Sequence, residues 1–197
     1  PEDTTSVSHF SITELYEDTT GNIWVGTTHG LNVFSYNSGR FIQYWHQKKS
    51  NNSLIDNDIK DIFEDITGTV WVFTEHGINK TVRNHQGRLN FERFYFDSLS
   101  AFSTFNSKRI SSVMDYSEHI LWIHTDEGII CFGKRNHTTK MLYPDHDFNC
   151  LTRHNGNFYG LFENDFFKYQ DKKDAFIKTF SIKSDSKIDR ITFAQNN

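Results

Sequence analysis

The stretch "EDTTGNIWVGTTHGLNVF", Glu17 to Phe34, returns in altered form as "EDITGTVWVFTEHGINK", Glu64 to Lys80. The tryptophans at the centre of the two copies, Trp24 and Trp71, are 47 residues apart. Self-similarity at a period of 20 to 50 residues is typical of solenoids and propellers, in which each repeat is one supersecondary unit. The sequence therefore predicts that one structural unit is written several times along the chain.

Three further copies are weaker. The third contains Trp122, and a fourth, "GNFYGLFENDFFKY", has Tyr159 in the tryptophan place and Asp165 in the glycine place. We expect this exchange at a position that needs a positive φ, which Gly accepts best and Asn and Asp next. A fifth copy begins at "KIDRITF". The predicted repeats are 6–52, 53–104, 105–145, 146–183 and an incomplete 184–197.

The second unit shows what one repeat is expected to form. Four short segments rich in β-branched and aromatic residues, "IKDIFED", "TVWVFTE", "INKTVR" and "LNFERFYF", are separated by turn signals. Residues 65–68, like 18–21, place Asp first and Gly last in a type I turn. His76-Gly77 and His29-Gly30 supply the positive φ of a tight hairpin. Each unit is thus predicted to be a four-stranded antiparallel meander, and the chain an all-β partial propeller of four blades and the start of a fifth.

Composition excludes several other classes. With 197 residues, 16% aromatic residues, two prolines and 23% charged residues, the chain is expected to fold around a core. A formal net charge of -4 argues against nucleic acid as a partner. There is no apolar run of about 18 residues, and the chain starts at Pro1 without an initiator Met or signal sequence. We expect it to be a piece of something longer.

The two cysteines, Cys131 and Cys150, lie in or beside apolar runs. Two buried thiols that act as small hydrophobes are the favoured interpretation, and a disulfide is the alternative.

The segment "ITELYEDTTGNIWVGTTHGLNVF" resembles the two-component regulator propeller repeat, whose pattern is roughly I-x-x-I-x-E-D-x-x-G-x-I-W-V-G-T-x-x-G-L-x-x-F. The second copy departs from it at Phe73, where the family has Gly, and the third has lost the acidic turn near Asp115. The fourth keeps Gly156, Asn157 and the aromatic residue. With the opening fifth copy, the resemblance covers nearly the whole chain.

This resemblance implies a periplasmic sensor region of a hybrid two-component histidine kinase from Bacteroides-like bacteria. Many members of the family sense oligosaccharides, so it implies a carbohydrate ligand, a membrane-anchored parent protein and no cofactor. It also implies that the kinase lies outside these residues. Exposed blade flanks would favour self-association, and a homodimer is expected.

If the first strand of each unit is innermost, the acidic turns lie on one rim of the propeller. The His-Gly hairpins and the loops that lead into each first strand then share the other rim, which we predict to be the ligand face. Sugar hydroxyls need hydrogen-bonding side chains, and sugar C–H faces stack on rings such as Phe10, Tyr44 or Trp45. The polar candidates are His29, His76, Asp126, Glu127, Asn164, His9, Asp56, Asn57, Lys108 and Arg109.

Several of these signals have other interpretations. The Glu17-Asp18 and Glu64-Asp65 pairs could be catalytic, but neighbouring strand residues point to opposite faces, so we interpret them as turn residues. His29 and His76 could share a metal with Asp126, but no tight ligand spacing is present. The repeated tryptophans could stack on sugar, but their place in mid-strand favours the core between blades. A protein-interaction scaffold, and less favourably a propeller glycosidase or lyase, are the alternative functions.

Overall fold

The computed structural model describes residues 6–36, 38–99, 101, 110–143, 148–183, 188 and 191–192. Within these residues there are sixteen strands and two short 3₁₀ turns, Phe96–Ser98 and Asp171–Lys173. The strands form four separate sheets that follow one another along the chain. The predicted fifth repeat lies mostly outside the described residues.

Each sheet contains four strands. The first sheet contains β1 (Ile12–Glu17), β2 (Ile23–Thr27), β3 (Gly30–Ser35) and β4 (Arg40–Tyr44). The second contains β5 (Ile59–Glu64), β6 (Val70–Thr74), β7 (Gly77–Arg83) and β8 (Leu89–Tyr95). The third contains β9 (Ile110–Ser117), β10 (Ile120–Thr125), β11 (Gly128–Gly133) and β12 (Thr139–Leu142). The fourth contains β13 (Cys150–His154), β14 (Asn157–Phe162), β15 (Asp165–Gln170) and β16 (Ala175–Ser181).

In every sheet the strands are hydrogen-bonded to one another in chain order, so each sheet is an antiparallel meander. The first strands of successive sheets contact each other, β1 with β5, β5 with β9 and β9 with β13. These strands therefore form the inner side of the stack, as in the blades of a propeller. The predicted all-β partial propeller is confirmed, and the four sheets are called blades 1 to 4 below.

An apolar core fills each of the three spaces between neighbouring blades. Trp24, Trp71 and Trp122 each belong to one of these cores and are at most 2% exposed. Burying so large an aromatic side chain contributes about 2 to 3 kcal/mol from removal of its surface from water. The prediction of an interblade core is confirmed for these three residues, whereas Tyr159 in blade 4 is only half-buried.

The acidic turn of blade 1 holds the core tryptophan in place. The Asp18 carboxylate accepts hydrogen bonds from the Thr20 and Asn22 amides (3.0 and 2.8 Å) and from the Trp24 indole N–H (2.8 Å). Burial opposes ionisation of Asp18, but these bonds outweigh it and hold the pKa of the carboxyl below its ordinary value. Asp65 binds the Trp71 indole in the same way at 2.9 Å. Both aspartates are turn residues, as predicted.

A second carboxylate joins each acidic turn to the next blade. Glu64, at the end of β5, accepts the Thr19 amide and hydroxyl of blade 1, both at 2.7 Å. Asp115 in β9 occupies the equivalent register position and accepts the Ile66 amide of blade 2 at 2.7 Å. This contact between a carboxylate of a first strand and the acidic turn of the preceding blade is called the interblade clamp.

The third blade has lost the acidic turn, as the sequence indicates, and β9 connects to β10 through a tight turn at Glu118 and His119. Lys134, which follows β11, lies at the interface with blade 2 and is only 7% exposed. Its ammonium group pairs with Asp65 at 2.9 Å and Asp115 at 2.5 Å. A buried ion cluster therefore reinforces the clamp between blades 2 and 3.

The prediction that the hairpin position needs a positive φ is wrong in blades 2 and 4. Gly30 has a φ of 118°, but Gly77 does not lie in the left-handed region, and neither does Asp165. In the fourth hairpin the left-handed residue is Glu163, with a φ of 52°. Gly77 is needed for space instead, because a Cβ there would collide with the Phe94 carbonyl oxygen and come within 2.7 Å of Ile55.

Candidate ligand-binding site

The hairpin rim is built from a repeated local structure. In blades 1 to 3 a buried threonine, Thr27, Thr74 or Thr125, ends the second strand and donates its hydroxyl to the carbonyl oxygen of the hairpin glycine at 2.8 to 3.0 Å. This bond satisfies a polar group that the tight turn would otherwise bury without a partner. The two residues between Thr and Gly are consequently held at the rim, where they are exposed or half-buried.

In blade 1, the rim carries two stacked histidines. The ring of His29, in the hairpin, lies 4.0 Å from the ring of His9, in the loop that leads into β1, and the two planes differ by 23°. The Thr28 hydroxyl lies 3.3 Å from His9 Nδ1 and 3.0 Å from His29 Nδ1. The two imidazole rings and the threonine hydroxyl therefore lie side by side at the rim of blade 1.

In blade 2, the equivalent positions carry a hydrogen-bonded pair, because His76 Nδ1 contacts the Asp56 carboxylate. Burial opposes ionisation of Asp56, but hydrogen bonds from the Asp58 amide and from His76 outweigh it and lower the pKa of the carboxyl. Close by, Lys60 Nζ pairs with Asp58 and Glu75, both at 2.9 Å. This part of the rim offers both charge signs to a ligand.

Asn57 connects the two blades. Its carbonyl oxygen accepts the Gly30 amide at 2.7 Å, and its side-chain oxygen accepts the His46 amide at 2.7 Å. Asn57 therefore fixes the hairpin of blade 1 against the loop that leads into β5. One continuous polar surface results, and we call it the histidine rim: His9, His29, Asp56, Asn57 and His76.

Two exposed aromatic side chains flank the histidine rim. Phe10 is 91% exposed, and its ring lies 4.3 Å from that of His9. Trp45 is 42% exposed and lies against Gly30, where an added Cβ would be 2.8 Å from Trp45 Cδ1. Tyr44, also predicted as a rim aromatic, instead packs edge-on against Phe91 in the core between blades 1 and 2.

The remaining candidates lie elsewhere or outside the described residues. Asp126 and Glu127 are half-buried in the hairpin of blade 3, and Asn164 is half-buried in that of blade 4, where its carbonyl oxygen accepts the Ile182 amide. Lys108 and Arg109 lie outside the described residues. Among the predicted site residues, those of blades 1 and 2 are therefore the ones that the contacts bring close together.

Two interblade clefts form a feature that sequence reasoning missed. A cavity of about 840 Å³ between blades 1 and 2 is lined by Arg83, Arg88 and Ile42, and one of about 540 Å³ between blades 3 and 4 by Tyr116, Trp122 and Lys140. Ile42 and Lys140 occupy equivalent register positions, each paired with the residue opposite the core tryptophan. The clefts are therefore the same site in two interfaces.

Between blades 2 and 3 the corresponding space contains side chains. Lys80 pairs with Glu92 at 3.5 Å, and the His137 ring packs on Phe94 at 4.4 Å. The Lys80–Glu92 pair lies within blade 2, whereas the contact between Phe94 and His137 joins blades 2 and 3 across 43 residues of sequence, which no local motif could reveal.

The inner strands contribute a pair of acidic residues. Asp61 in β5 and Glu14 in β1 occupy equivalent register positions. Burial, together with the nearby Glu14 carboxylate, raises the pKa of Asp61 to about 6.

The two cysteines are free and half-buried, and burial raises the pKa of the Cys131 thiol to about 11. Within the described part of the chain, no group of three His, Cys, Asp or Glu residues is arranged to hold a metal ion.

Residues 8–29 match the family model described as two component regulator propeller. The predicted resemblance is therefore confirmed for this repeat, and the matched segment includes both His9 and His29. No curated protein matches the chain significantly.

Solved structures show the same fold over a longer range. The extracellular domain of a hybrid two-component system from B. thetaiotaomicron is 21% identical, with a TM-score of 0.68, over 91% of this chain and 25% of that one. A second such domain from the same organism gives 21% identity and a TM-score of 0.68 over 94% and 26% of the two chains. The chain spans about a quarter of the length of these sensor domains.

An enzyme is also similar in fold, but less so. Virginiamycin B lyase from Staphylococcus aureus is 13% identical, with a TM-score of 0.59, over 88% of this chain and 56% of the lyase. Among the described residues, no helix is long and apolar enough to cross a membrane.

Proposed function

We propose that this chain is part of an extracytoplasmic sensor propeller that binds a carbohydrate at the histidine rim and signals to a histidine kinase. The observation that carries the proposal is the exposed Trp45 ring, which lies against Gly30 beside the polar side chains of the rim. An aromatic ring next to converging donors and acceptors is suited to the two faces of a sugar, one of C–H groups and one of hydroxyls. The family match over residues 8–29 and the likeness to sensor domains support the sensor class.

The sensing mechanism that fits this arrangement is mechanical. The histidine rim spans blades 1 and 2, so a ligand held by both His29 and His76 would favour one relative position of the two blades. A ligand shifts a conformational equilibrium only by its difference in affinity for the two states. The signal to the kinase would therefore be a change in the arrangement of blades, and no residue of the rim would need to react chemically.

The test is a thermal-shift titration of the folded chain against a panel of oligosaccharides. A ligand that binds only the folded state raises the melting temperature with the logarithm of its concentration. For a glycan that gives a saturable shift, we expect Trp45→Ala to weaken binding roughly threefold to tenfold, since an aromatic contact is worth about 0.5 to 1.5 kcal/mol. Tyr36→Ala is the matched control, because Tyr36 is 67% exposed and lies at the end of β3, away from the hairpin.

Equal binding by Trp45→Ala and Tyr36→Ala would place the site outside the histidine rim. Chemical turnover of a bound glycan would favour an enzyme over a sensor. The second candidate function, a protein-interaction scaffold, is favoured by the exposed apolar face of β1, where Leu15 is 64% exposed. Absence of any glycan shift, combined with specific capture of a protein on that face, would support the scaffold instead.

A further inference from the structure

The core tryptophan of blade 3 lacks the hydrogen-bond acceptor that its equivalents have. The indole N–H groups of Trp24 and Trp71 donate to the aspartates of the acidic turns at 2.8 and 2.9 Å. Trp122 is as deeply buried, with 2% of its surface exposed. Within the described part of the chain its indole N–H donates to no oxygen atom, and it contacts the Cys131 sulfur, which is a weak acceptor. Since buried N–H groups normally have an acceptor, this position indicates a place for one.

The pairing register of blade 3 explains why the acceptor is missing. Counted from the residue that pairs with the core tryptophan, Tyr116 occupies the place that Asp18 has in blade 1. The Tyr116 ring stacks on Trp122, with centroids 4.7 Å apart and planes that differ by 11°. Stacking covers the face of the indole and leaves its N–H edge without the carboxylate that blades 1 and 2 provide.

Trp122 forms part of the wall of the cleft between blades 3 and 4. The volume of this cleft, about 540 Å³, is typical of sites for small molecules. Tyr169 stands edge-on to Trp122 there, with centroids 4.9 Å apart and planes that differ by 88°. Most of the wall is apolar and includes Tyr116, Ile120 and Leu142. The cleft is therefore suited to a planar, largely apolar molecule.

A cation lies beside the same indole. Lys140 lines the cleft, and its charge acts on the Cys131 thiol that the indole N–H contacts. No carboxylate among the described residues forms an ion pair with Lys140. Asp174 also lies near the thiol, but its carboxylate accepts the Tyr169 hydroxyl. An N–H donor and an ammonium group next to one thiol together suit an anionic oxygen.

We propose that the cleft between blades 3 and 4 binds a small aromatic carboxylate. The carboxylate accepts the Trp122 indole N–H and pairs with Lys140, while the ring of the ligand lies against Tyr116 and Tyr169. The ligand thus supplies the acceptor that an acidic turn supplies in blades 1 and 2. This site is separate from the histidine rim, and the proposal does not depend on carbohydrate sensing.

The probe is cinnamate, titrated into the isotope-labelled chain while NMR follows the indole N–H signals of the four tryptophans. We expect the Trp122 proton signal to move downfield and to saturate, because its N–H gains a charged acceptor. The signals of Trp24 and Trp71, which already donate to aspartates, should stay in place. Cinnamamide has nearly the same shape but no charge, and it should bind about tenfold more weakly.

A pair of lysine variants tests the cation. Lys140→Met keeps most of the side-chain length and removes the charge, so it should weaken cinnamate binding roughly tenfold. Lys48→Met is the matched control, because Lys48 is exposed and follows β4, on the other side of the chain from blade 4 in sequence. This control should bind cinnamate as the parent does.

A Trp122 signal that does not move at millimolar cinnamate would overturn the proposal. Equal binding of cinnamate and cinnamamide, or of cinnamate by the two lysine variants, would also overturn it, because no cation would then hold the carboxylate. A saturable shift of Trp24 in place of Trp122 would put the probe in the cleft between blades 1 and 2 and would contradict the role of the missing acidic turn.

Discussion

The first strands of blades 1 and 2 have the same pairing register and similar side chains but opposite surroundings. In β5, Ile59 is fully buried against blade 1, whereas Ile12 at the equivalent place in β1 is 57% exposed. The two strands, ITELYE and IKDIFE, are alike in length and in the placing of their apolar residues. The comparison shows that burial in this fold is decided by the neighbouring blade, so the same substitution should have different consequences in the two blades.

The largest expected effect concerns the interface where the clamp has an added ion cluster. Lys134→Met leaves Asp65 and Asp115 buried without their cation, and removal of one partner from a buried ion pair typically costs about 3 to 5 kcal/mol. We expect a loss of that size in the free energy of unfolding, measured with urea. The matched control is Tyr36→Met, because Tyr36 follows β3 as Lys134 follows β11 and is exposed. Equal small effects of both changes would show that the ion cluster contributes nothing.

The second prediction compares the two isoleucines directly. Ile59→Ala should lower the free energy of unfolding by about 3 kcal/mol, from lost burial and the cavity that remains. Ile12→Ala removes the same atoms from an exposed face and should change stability by less than about 0.5 kcal/mol. Urea unfolding of both variants under one set of conditions provides the measurement. A similar cost at both positions would mean that Ile12 is covered in solution.

The third prediction concerns the clamp carboxylates. Glu64→Ala removes the acceptor for the Thr19 amide and hydroxyl, and hydrogen bonds to charged groups contribute about 1.5 to 3 kcal/mol. We expect a destabilisation of about 2 kcal/mol. Glu17→Ala, at the equivalent exposed position, should cost less than about 0.5 kcal/mol. Chemical denaturation that gave the reverse order would reject the clamp.

The smallest effect depends on pH and involves the inner strands. The pKa of Asp61 is about 6 in the folded chain and 3.8 for an unperturbed aspartate, so ionisation of this group opposes folding as the pH rises between these values. A shift of this size corresponds to at most about 3 kcal/mol, and contact with water reduces it. We expect Asp61→Asn to be more stable than the parent chain by about 1 kcal/mol above pH 7.

This difference should vanish below about pH 3, where Asp61 is protonated in both states and the substitution removes no charge. Urea titrations at several pH values test it. A gain in stability that is the same at pH 3 and pH 7 would contradict the assignment, because it could not come from the Asp61 charge. Glu14→Gln is a useful comparison, since removal of the Glu14 charge should lower the pKa of Asp61.

Much of the fold could be predicted because its determinants are local. The Asp18 turn, the mid-strand tryptophans and the His-Gly hairpins each lie within a few residues, so spacing alone reveals them. The positions of His9, His29, Asp56 and His76 on one rim follow from the meander. The clamp was not predicted, because Glu64 and Thr19 belong to different blades and no sequence period relates a carboxylate to the turn it binds.

Other features depended on packing at atomic detail. The role of Gly77 is steric, because the backbone at Phe94 approaches it closely, and propensity for positive φ gives the wrong reason. Whether the space beside Ile42 or Lys140 is open depends on the side chains of the neighbouring blade. The cluster around Lys134 reinforces the clamp between blades 2 and 3, and its three members come from separate segments of the chain, so no local motif shows it.

The most direct test of the interblade clamp is amide hydrogen exchange of Thr19, followed by NMR in the parent chain and in the Glu64→Ala and Glu17→Ala variants. We expect the Thr19 amide to be protected in the parent and in Glu17→Ala and to lose its protection in Glu64→Ala, although blade 1 remains folded. Equal protection in both variants would contradict it, because the carboxylate of the next blade would then have no part in holding the turn.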